Sequence, residues 1–466
     1  MFRNQVQEIA VKAAALKIII VGAGKVGSTL AEQLSKEGND ITIIDSNRNK
    51  VQDLTNRLDI MGIVGNGASF SKLDDAGIQE ADLFIAVTRS DELNLLCCTI
   101  AKRSSDVASI ARVRSPEYSA EIAFLRERLG LAMVINPDLE LAREASRILY
   151  LPSALEVNSF ARGQAELIKL RIPAGSSLDG QSLADFGKNH LGNVVLGAVE
   201  RHGDVMIPRG DTIMSAGDTL TFVASPRGAR SFMKSVGVEN KPIRNCMIVG
   251  GGRAAYYLAS QLLNMGIEVK IIEKDLDRCN ELTELLPEAV IIHGDGTDED
   301  LLLEEQLRGT EAFVPLTGMD EENIMLTLHA RKETRAKVVT KINRTTFDAV
   351  VEDLDLGSVL SPRYLTSDAI IAYVRAKRAS GTSNIETLYH LFDNRVEALE
   401  FRVDDDKRIT NIPLRDLQLQ PNTLVCFINH KGHLIFPSGD DMIHAGDTVM
   451  IITTNVGYTE ICDILA

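Results

Sequence analysis

From residue 16 onward the chain alternates short, largely apolar runs with longer amphipathic stretches. The first run, Leu16–Lys17–Ile18–Ile19–Ile20–Val21, is too short for a helix and too evenly apolar for a half-wet strand. It predicts a strand buried on both faces. Gly22–Ala23–Gly24–Lys25–Val26–Gly27 follows at once, a spacing that predicts a direct turn into a helix. A second apolar run, Ile41–Thr42–Ile43–Ile44, ends in Asp45. Helical periodicity over Asn49–Leu58 leads to a strand at Ile60–Val64, closed by the small, polar Gly65–Asn66–Gly67–Ala68–Ser69. A strand over Asp82–Thr88 opens into a helix at Arg89–Ser90–Asp91–Glu92–Leu93–Asn94, where Ser90 or Asp91 would cap. The strand Ser109–Val113 then carries Arg112 near its end. Strands alternating with helices in this way imply a parallel sheet covered on both faces.

The glycines suggest a ligand. Gly22 permits the tight turn, Gly24 the close approach of a pyrophosphate, and Gly27 the packing of helix on strand. The first N–H groups of that helix would face the phosphates. Asp45, 18 residues after Gly27, stands where a ribose-binding acid is expected. This is the pattern of a Rossmann-like dinucleotide or adenosine-nucleotide fold. Arg112 reads as a phosphate partner or as a surface ion pair.

Past Val134–Ile135–Asn136–Pro137 a helix over Leu139–Leu149 ends before Pro152, and residues 155–236 change to short strands and turns. Leu167–Ile172 and Val194–Glu200 read as strands, with a tight hairpin at His202–Gly203 into Asp204–Ile207. The Gly–Asp pairs of Pro208–Arg209–Gly210–Asp211 and Ala216–Gly217–Asp218–Thr219 fit turns. Then everything repeats. Gly250–Gly251–Gly252–Arg253–Ala254–Ala255 follows the strand Cys246–Val249, and Glu273 ends Val269–Ile272. Gly22 to Gly250 and Asp45 to Glu273 are both offsets of 228. Gly294–Asp295–Gly296–Thr297, Thr317, Asp320, Asn323, Lys341 and the turns around Asp440 and Asp447 lie 229 beyond their counterparts. The fold class is therefore α/β: two Rossmann-like doubly wound parallel sheets, each followed by a small α+β domain, through internal duplication. The expected domains are 16–137, 138–237, 243–362 and 363–466, with a linker helix opening the second and fourth. Asp45 and Glu273 would both repel a 2′-phosphate, which favours NAD over NADP.

Composition narrows the classes. A net charge of 50 − 65 = −15 argues against nucleic acid as a main partner. Six scattered cysteines without a CxxC spacing fit reduced thiols in the cytoplasm, and adjacent Cys97 and Cys98 in an apolar stretch read as packing. No uncharged apolar run approaches the ~20 residues needed to span a bilayer, so work at a membrane would be that of a peripheral subunit. Residues 1–15 read as a short amphipathic arm (Val6, Ile9, Ala13) or as translation from a start site upstream of the first strand. The alternative function, an NAD-dependent oxidoreductase, needs a proton-transfer residue over the nicotinamide. His190, His202, His430, His433 and His444 fall in turns or surface strands, and His293 is replaced by Val64 in the first half. The reading is of a non-enzyme.

Over nearly its full length from residue 16 the chain resembles the tandem RCK (KTN plus TrkA-C) family. The resemblance rests on Gly22–Gly27, Asp45, Gly65–Ser69, Thr88–Asn94 and the Gly–Asp turns. It implies a cytoplasmic ring of RCK domains, a dimer or tetramer, peripheral on the inner membrane face beneath a Trk-type (TrkH-like) pore subunit. Bound NAD(H) or ATP/ADP would regulate potassium uptake. By the same resemblance the ligand contacts fall on Gly22, Ala23, Gly24, Lys25, Val26, Asp45, Thr88, Arg89 and Arg112. In the second half they fall on Gly250, Gly251, Gly252, Arg253, Ala254 and Glu273, with Thr317 and Lys341 at matching positions. The helices around 139–150 and 364–379 would serve subunit association.

Overall fold

The computed structural model describes residues 15–190, 194–238, 241–343, 354, 356–378, 385–392 and 394–466. The arm read at residues 1–15 lies outside them apart from Ala15. The first sheet is parallel and six-stranded: β1 (Lys17–Val21), β2 (Asp40–Asp45), β3 (Met61–Val64), β4 (Leu83–Ala86), β5 (Ala108–Arg112) and β6 (Met133–Ile135), in the order β3-β2-β1-β4-β5-β6. Strand order reverses between β1 and β4, so a crevice opens at their carboxyl ends, where ligands bind in such sheets. The sixth strand escaped the sequence pattern because its three residues merge with the entry to the next helix. An antiparallel sheet follows, made of β7 (Glu156–Phe160), β8 (Ala165–Arg171), β9 (Val194–Arg201), β10 (Asp204–Met206) and β11 (Thr219–Ala224), ordered β10-β9-β11-β8-β7.

The second half repeats both sheets. Its parallel sheet comprises β12 (Asn245–Val249), β13 (Glu268–Glu273), β14 (Val290–His293), β15 (Ala312–Pro315), β16 (Lys337–Lys341) and β17 (Ser358–Leu360). Its antiparallel sheet comprises β18 (Ile385–Leu391), β19 (Val396–Arg402), β20 (Thr423–His430), β21 (His433–Ile435) and β22 (Thr448–Thr453). Their orders, β14-β13-β12-β15-β16-β17 and β18-β19-β22-β20-β21, match the first half strand for strand. The tight hairpin stands as expected, with Arg201 opposite Asp204 and, in the repeat, His430 opposite His433. Of the Gly–Asp pairs, only Gly217 and Gly446 take positive φ, 90° and 86°. Asp218 does more than close its own turn: it accepts the Ser215 N–H at 2.9 Å and pairs with Arg201.

The hydrophobic cores do not follow chain order. The linker helix Pro137–Tyr150 buries Leu141, Ala145 and Ile148 in one core with Ala255, Leu258 and Leu262 of the helix Arg253–Asn264. The linker helix Pro362–Arg378 buries Ile370, Ile371 and Val374 with Leu30 and Leu34 of the helix Lys25–Lys36. Each antiparallel sheet thus shares its main core with the parallel sheet of the other half. A further core joins the two antiparallel sheets, with Phe160 edge-on to Tyr389 at 5.3 Å and to Phe427 at 6.5 Å. The linker helices, expected from the resemblance to serve subunit association, each bury one face against the chain's own other half.

A charge network locks the second crossing. Arg375 on the linker helix donates to Glu37 at 3.0 Å and pairs with Glu397, a fully buried acid, at 3.0 Å. His390 stands 2.8 Å from Asp368 and 3.4 Å from Glu397. Burial opposes charge on this imidazole, but the two carboxylates outweigh it and hold His390 protonated up to about 9, against the usual 6.5. Because the pKa is higher in the folded state, this contribution is complete below 6.5 and is lost as pH climbs through about 9. Thermal melts should therefore lose stability across that window, and His390→Gln should flatten the loss. Parallel pH slopes in the two proteins would remove His390 from the account.

Candidate nucleotide site

Gly22 leaves β1 at φ 108°, and a Cβ there would stand 3.0 Å from Thr88 N and the Val87 carbonyl at the end of β4. Only glycine fits this turn. The next residue, Ala23, donates its N–H to Asp45 Oδ2 at 2.6 Å, while the Asn47 N–H reaches Oδ1 at 2.8 Å. The expected ribose acid therefore also ties down the loop. The second half builds the same device: Gly250 has φ 96°, Gly251 N–H donates to Glu273 Oε2 at 2.6 Å, and Asp275 N–H donates to Oε1 at 2.8 Å.

Each loop runs into a helix whose N-terminal residue, Gly24 or Gly252, supplies no side-chain cap. The first N–H groups are thus left for a ligand or water. A Cβ on Gly24 or Gly252 would meet nothing within 4 Å, whereas one on Gly27 would fall 1.8 Å from the Gly22 carbonyl oxygen. Lys25 and Arg253 are exposed beside the loop, while Val26 and Ala254 are buried and can offer only main chain.

Asn94 builds the facing wall. Its Oδ1 accepts the Thr88 N–H and hydroxyl, both at 2.7 Å, and its Nδ2 donates to the Arg112 carbonyl at 2.9 Å. Ser90 caps the helix, accepting the Leu93 N–H at 3.0 Å. The exposed Arg89 accepts through its carbonyl from the Arg114 guanidinium at 2.7 Å. In the second half Asn323 accepts the Thr317 N–H at 3.0 Å and hydroxyl at 2.9 Å, and donates to the Lys341 carbonyl at 3.0 Å.

Arg112 is no surface ion pair. Its guanidinium donates to the Thr88 carbonyl, and among the described residues its buried Nε has no partner. Burial and then the charge of Arg114 push its pKa down to about 10, with Arg253 of the other half adding in the same sense and Asp91 and Asp138 opposing. Such a cation is stabilised by an arriving anion. Lys341 donates to the Leu316 carbonyl at 3.1 Å, and its pKa is lowered by burial and also by the charge of Lys25. Each site therefore feels the basic residue of the opposite glycine loop.

Four side chains have roles that went unread in the sequence. Asn94 and Asn323 were legible only as a repeated letter. Arg278 fixes the second loop by donating to the Gly251 carbonyl at 2.7 Å. Tyr257, one turn past Arg253, donates to the Arg114 carbonyl at 2.9 Å and lies 3.1 Å from Asn136 Nδ2 and from Ser119 Oγ. Its first-half counterpart, 228 residues earlier, is Thr29, so the repeat carried no signal for it. Cys97 and Cys98 are fully buried, and burial raises their thiols, Cys97 to about 12. They pack, as expected.

Fold and loops together define a duplicated Rossmann-type nucleotide-binding protein with paired antiparallel sheets. The TrkA-N domain family matches residues 18–137 and 246–362, and the TrkA-C domain family matches 167–237 and 398–466. The chain belongs to the tandem RCK family built of these two domains. It is 32% identical over 440 residues to the Trk system potassium uptake protein TrkA of Halomonas elongata, covering 94% of this chain and 95% of that one. It is 31% identical over 441 residues to the protein of that name in Haemophilus influenzae, again with 94% and 95% coverage. A TrkA homolog of Archaeoglobus fulgidus is 32% identical over 437 residues, with 94% and 97% coverage. These relatives are named for potassium uptake and not for a reaction. Among solved structures, the GsuK channel bound to NAD superposes with a TM-score of 0.61 at 16% identity, over 95% of this chain and 77% of that one. The GsuK RCK domain gives 0.62 at 16%, over 95% and 93%. Among the described residues no helix is long and apolar enough to cross a membrane.

The glycine geometry separates an open position, Gly24, from a close-packed one, Gly27. Gly27→Val should cost more than about 3 kcal/mol, because its side chain would collide with main chain. Gly24→Val should cost no more than about 1 kcal/mol, the loss of a favourable helix start. Thermal melts of both variants decide. A comparable loss at Gly24 would contradict the open space above that residue.

Proposed function

We propose that the chain is the cytoplasmic regulatory subunit of a Trk-type potassium uptake system, peripheral on the inner membrane face. In this reading NAD(H), or ATP/ADP, occupies the glycine-loop sites, and occupancy biases a TrkH-like membrane pore subunit that sits above a dimeric or tetrameric ring. The first site draws on Gly22, Ala23, Gly24, Lys25, Val26, Asp45, Thr88, Arg89 and Arg112. The second draws on Gly250, Gly251, Gly252, Arg253, Ala254 and Glu273. The observation that carries the reading is the crossing of the linker helices onto the glycine-loop helices. A ligand at either loop bears on a helix that holds both halves together. It moves the equilibrium only if it prefers one arrangement. The potassium-uptake relatives support the partner, and the likeness to a GsuK channel bound to NAD supports the ligand class.

NAD or NADH should raise the melting temperature, by roughly 2.7 kcal/mol of stabilisation at 100 times Kd, and NADP far less. Equal stabilisation by NADP would refute the role given to Asp45 and Glu273. In cells at limiting potassium, Gly24→Val should abolish nucleotide-dependent control of uptake while the chain still folds. Normal, nucleotide-responsive uptake in a variant shown not to bind ligand would sink the gating mechanism.

A further inference from the structure

The two antiparallel sheets differ at one corner. In the first, Arg201 at the end of β9 clamps Asp218 with Nε at 2.9 Å and a terminal nitrogen at 2.6 Å, and the Ser215 N–H completes the carboxylate's shell at 2.9 Å. The counterparts 229 residues on are His430, Asp447 and His444. A guanidinium clamp has become two imidazoles around the same carboxylate. His430 Nδ1 lies 2.6 Å from Asp447 Oδ1, His444 Nδ1 lies 3.5 Å from Oδ2, and the three donor atoms are all within 4.8 Å of one another. Asp447 is 1% exposed and held in place by the His444 N–H at 2.8 Å.

We propose that His430, His444 and Asp447 form a binding site for one divalent transition metal of the zinc type, present in the second half alone. Two imidazoles and a carboxylate suit zinc and its neighbours, whereas calcium and magnesium take oxygen sets. In a tetrahedral zinc site with bonds of about 2.0–2.1 Å, donors stand roughly 3.3 Å apart. The His444–Asp447 separation of 3.5 Å is already at that span. The His430–Asp447 hydrogen bond would open by less than about 1 Å as metal replaces its proton. Water fills the fourth position, or His433, which sits directly opposite His430 across the hairpin. Arg201 presents two N–H groups to Asp218, one to each oxygen, and the two imidazoles stand at the corresponding oxygens of Asp447. Unlike a guanidinium, each imidazole can give up its proton and offer a lone pair to a metal. A metal here would pin the β20–β21 hairpin to the turn before β22, stiffening the sheet whose Met450 and Ile452 lie in the core shared with the first half.

The test is calorimetric titration of zinc chloride into the metal-stripped full-length chain, beside the double variant His430→Arg, His444→Ser. That variant installs the first half's own residues, so its fold is supported by a clamp already present in the sister sheet. The wild type should take up one more equivalent of zinc than the variant, or bind that equivalent at least about ten-fold more tightly, and its melting temperature should rise with zinc. If the double variant melts abnormally, His444→Ser alone, which leaves the His430–Asp447 hydrogen bond intact, gives the same reading. Identical zinc uptake by wild type and a normally melting variant would overturn the site, as would no uptake by the wild type at micromolar zinc.

Discussion

A helix buried around most of its circumference cannot be left on a surface, and this requirement binds the two halves of the chain. The linker helix Pro137–Tyr150 hides Leu141, Ala142, Ala145, Ile148 and Leu149, more than one neighbouring sheet can cover. Its own antiparallel sheet takes one side and the glycine-loop helix of the other half takes the rest. The second linker returns the favour on the first half. The cooperative units therefore pair the first parallel sheet with the second antiparallel sheet, and the reverse. The duplication has made within one chain the self-complementary contact that identical subunits make around a two-fold axis.

The two crossings are built alike and fastened differently. At one, Tyr257 and the pair Ser146–Gln261, 2.8 Å apart, are neutral hydrogen bonds. At the other, Glu37, Arg375, Glu397 and His390 form a buried ionic chain. Such chains add little net stability against a well-packed apolar alternative, but removing one member strands a charge in the interior. They fix one arrangement rather than strengthen it. Glu144 on the first linker shows the cost of an acid there: burial raises its pKa to about 8 although Arg147 pairs with it. Divergence of this kind makes the halves inequivalent, as Arg112 against Lys341 already does at the sites.

What the sequence disclosed was local. Apolar runs, glycine spacing and an acid at a fixed distance revealed the parallel sheets and their loops, because each depends on residues near in the chain. Strand β7 was missed because Ser159 breaks its apolar alternation and the buried Asn158 gives no hydrophobic signal. The helices Leu183–His190 and Pro226–Ser235 were missed because Gly187 and Gly228 dilute their period. The repeat offset told what each unit is, and nothing about which unit it packs against. Arg112 illustrates the limit: residue type and strand position left a phosphate partner and a surface ion pair both open, whereas its burial, an Nε without a partner among the described residues and the charge of Arg253 are visible only in the folded chain.

The acids at the ends of β2 and β13 show why site and interface cannot be separated. Asp45 holds Ala23, and Glu273 holds Gly251, so the carboxylate that would select the ribose also sets where the glycine-loop helix begins. The body of that same helix is the surface on which the opposite linker lies. In the proposed gating, a shift at its N-terminus would be carried along a rigid element into a close-packed core, and such cores repack between discrete arrangements rather than deform smoothly. Loop order and the contact between halves, together with selectivity in the proposed reading, thus meet at one carboxylate in each half.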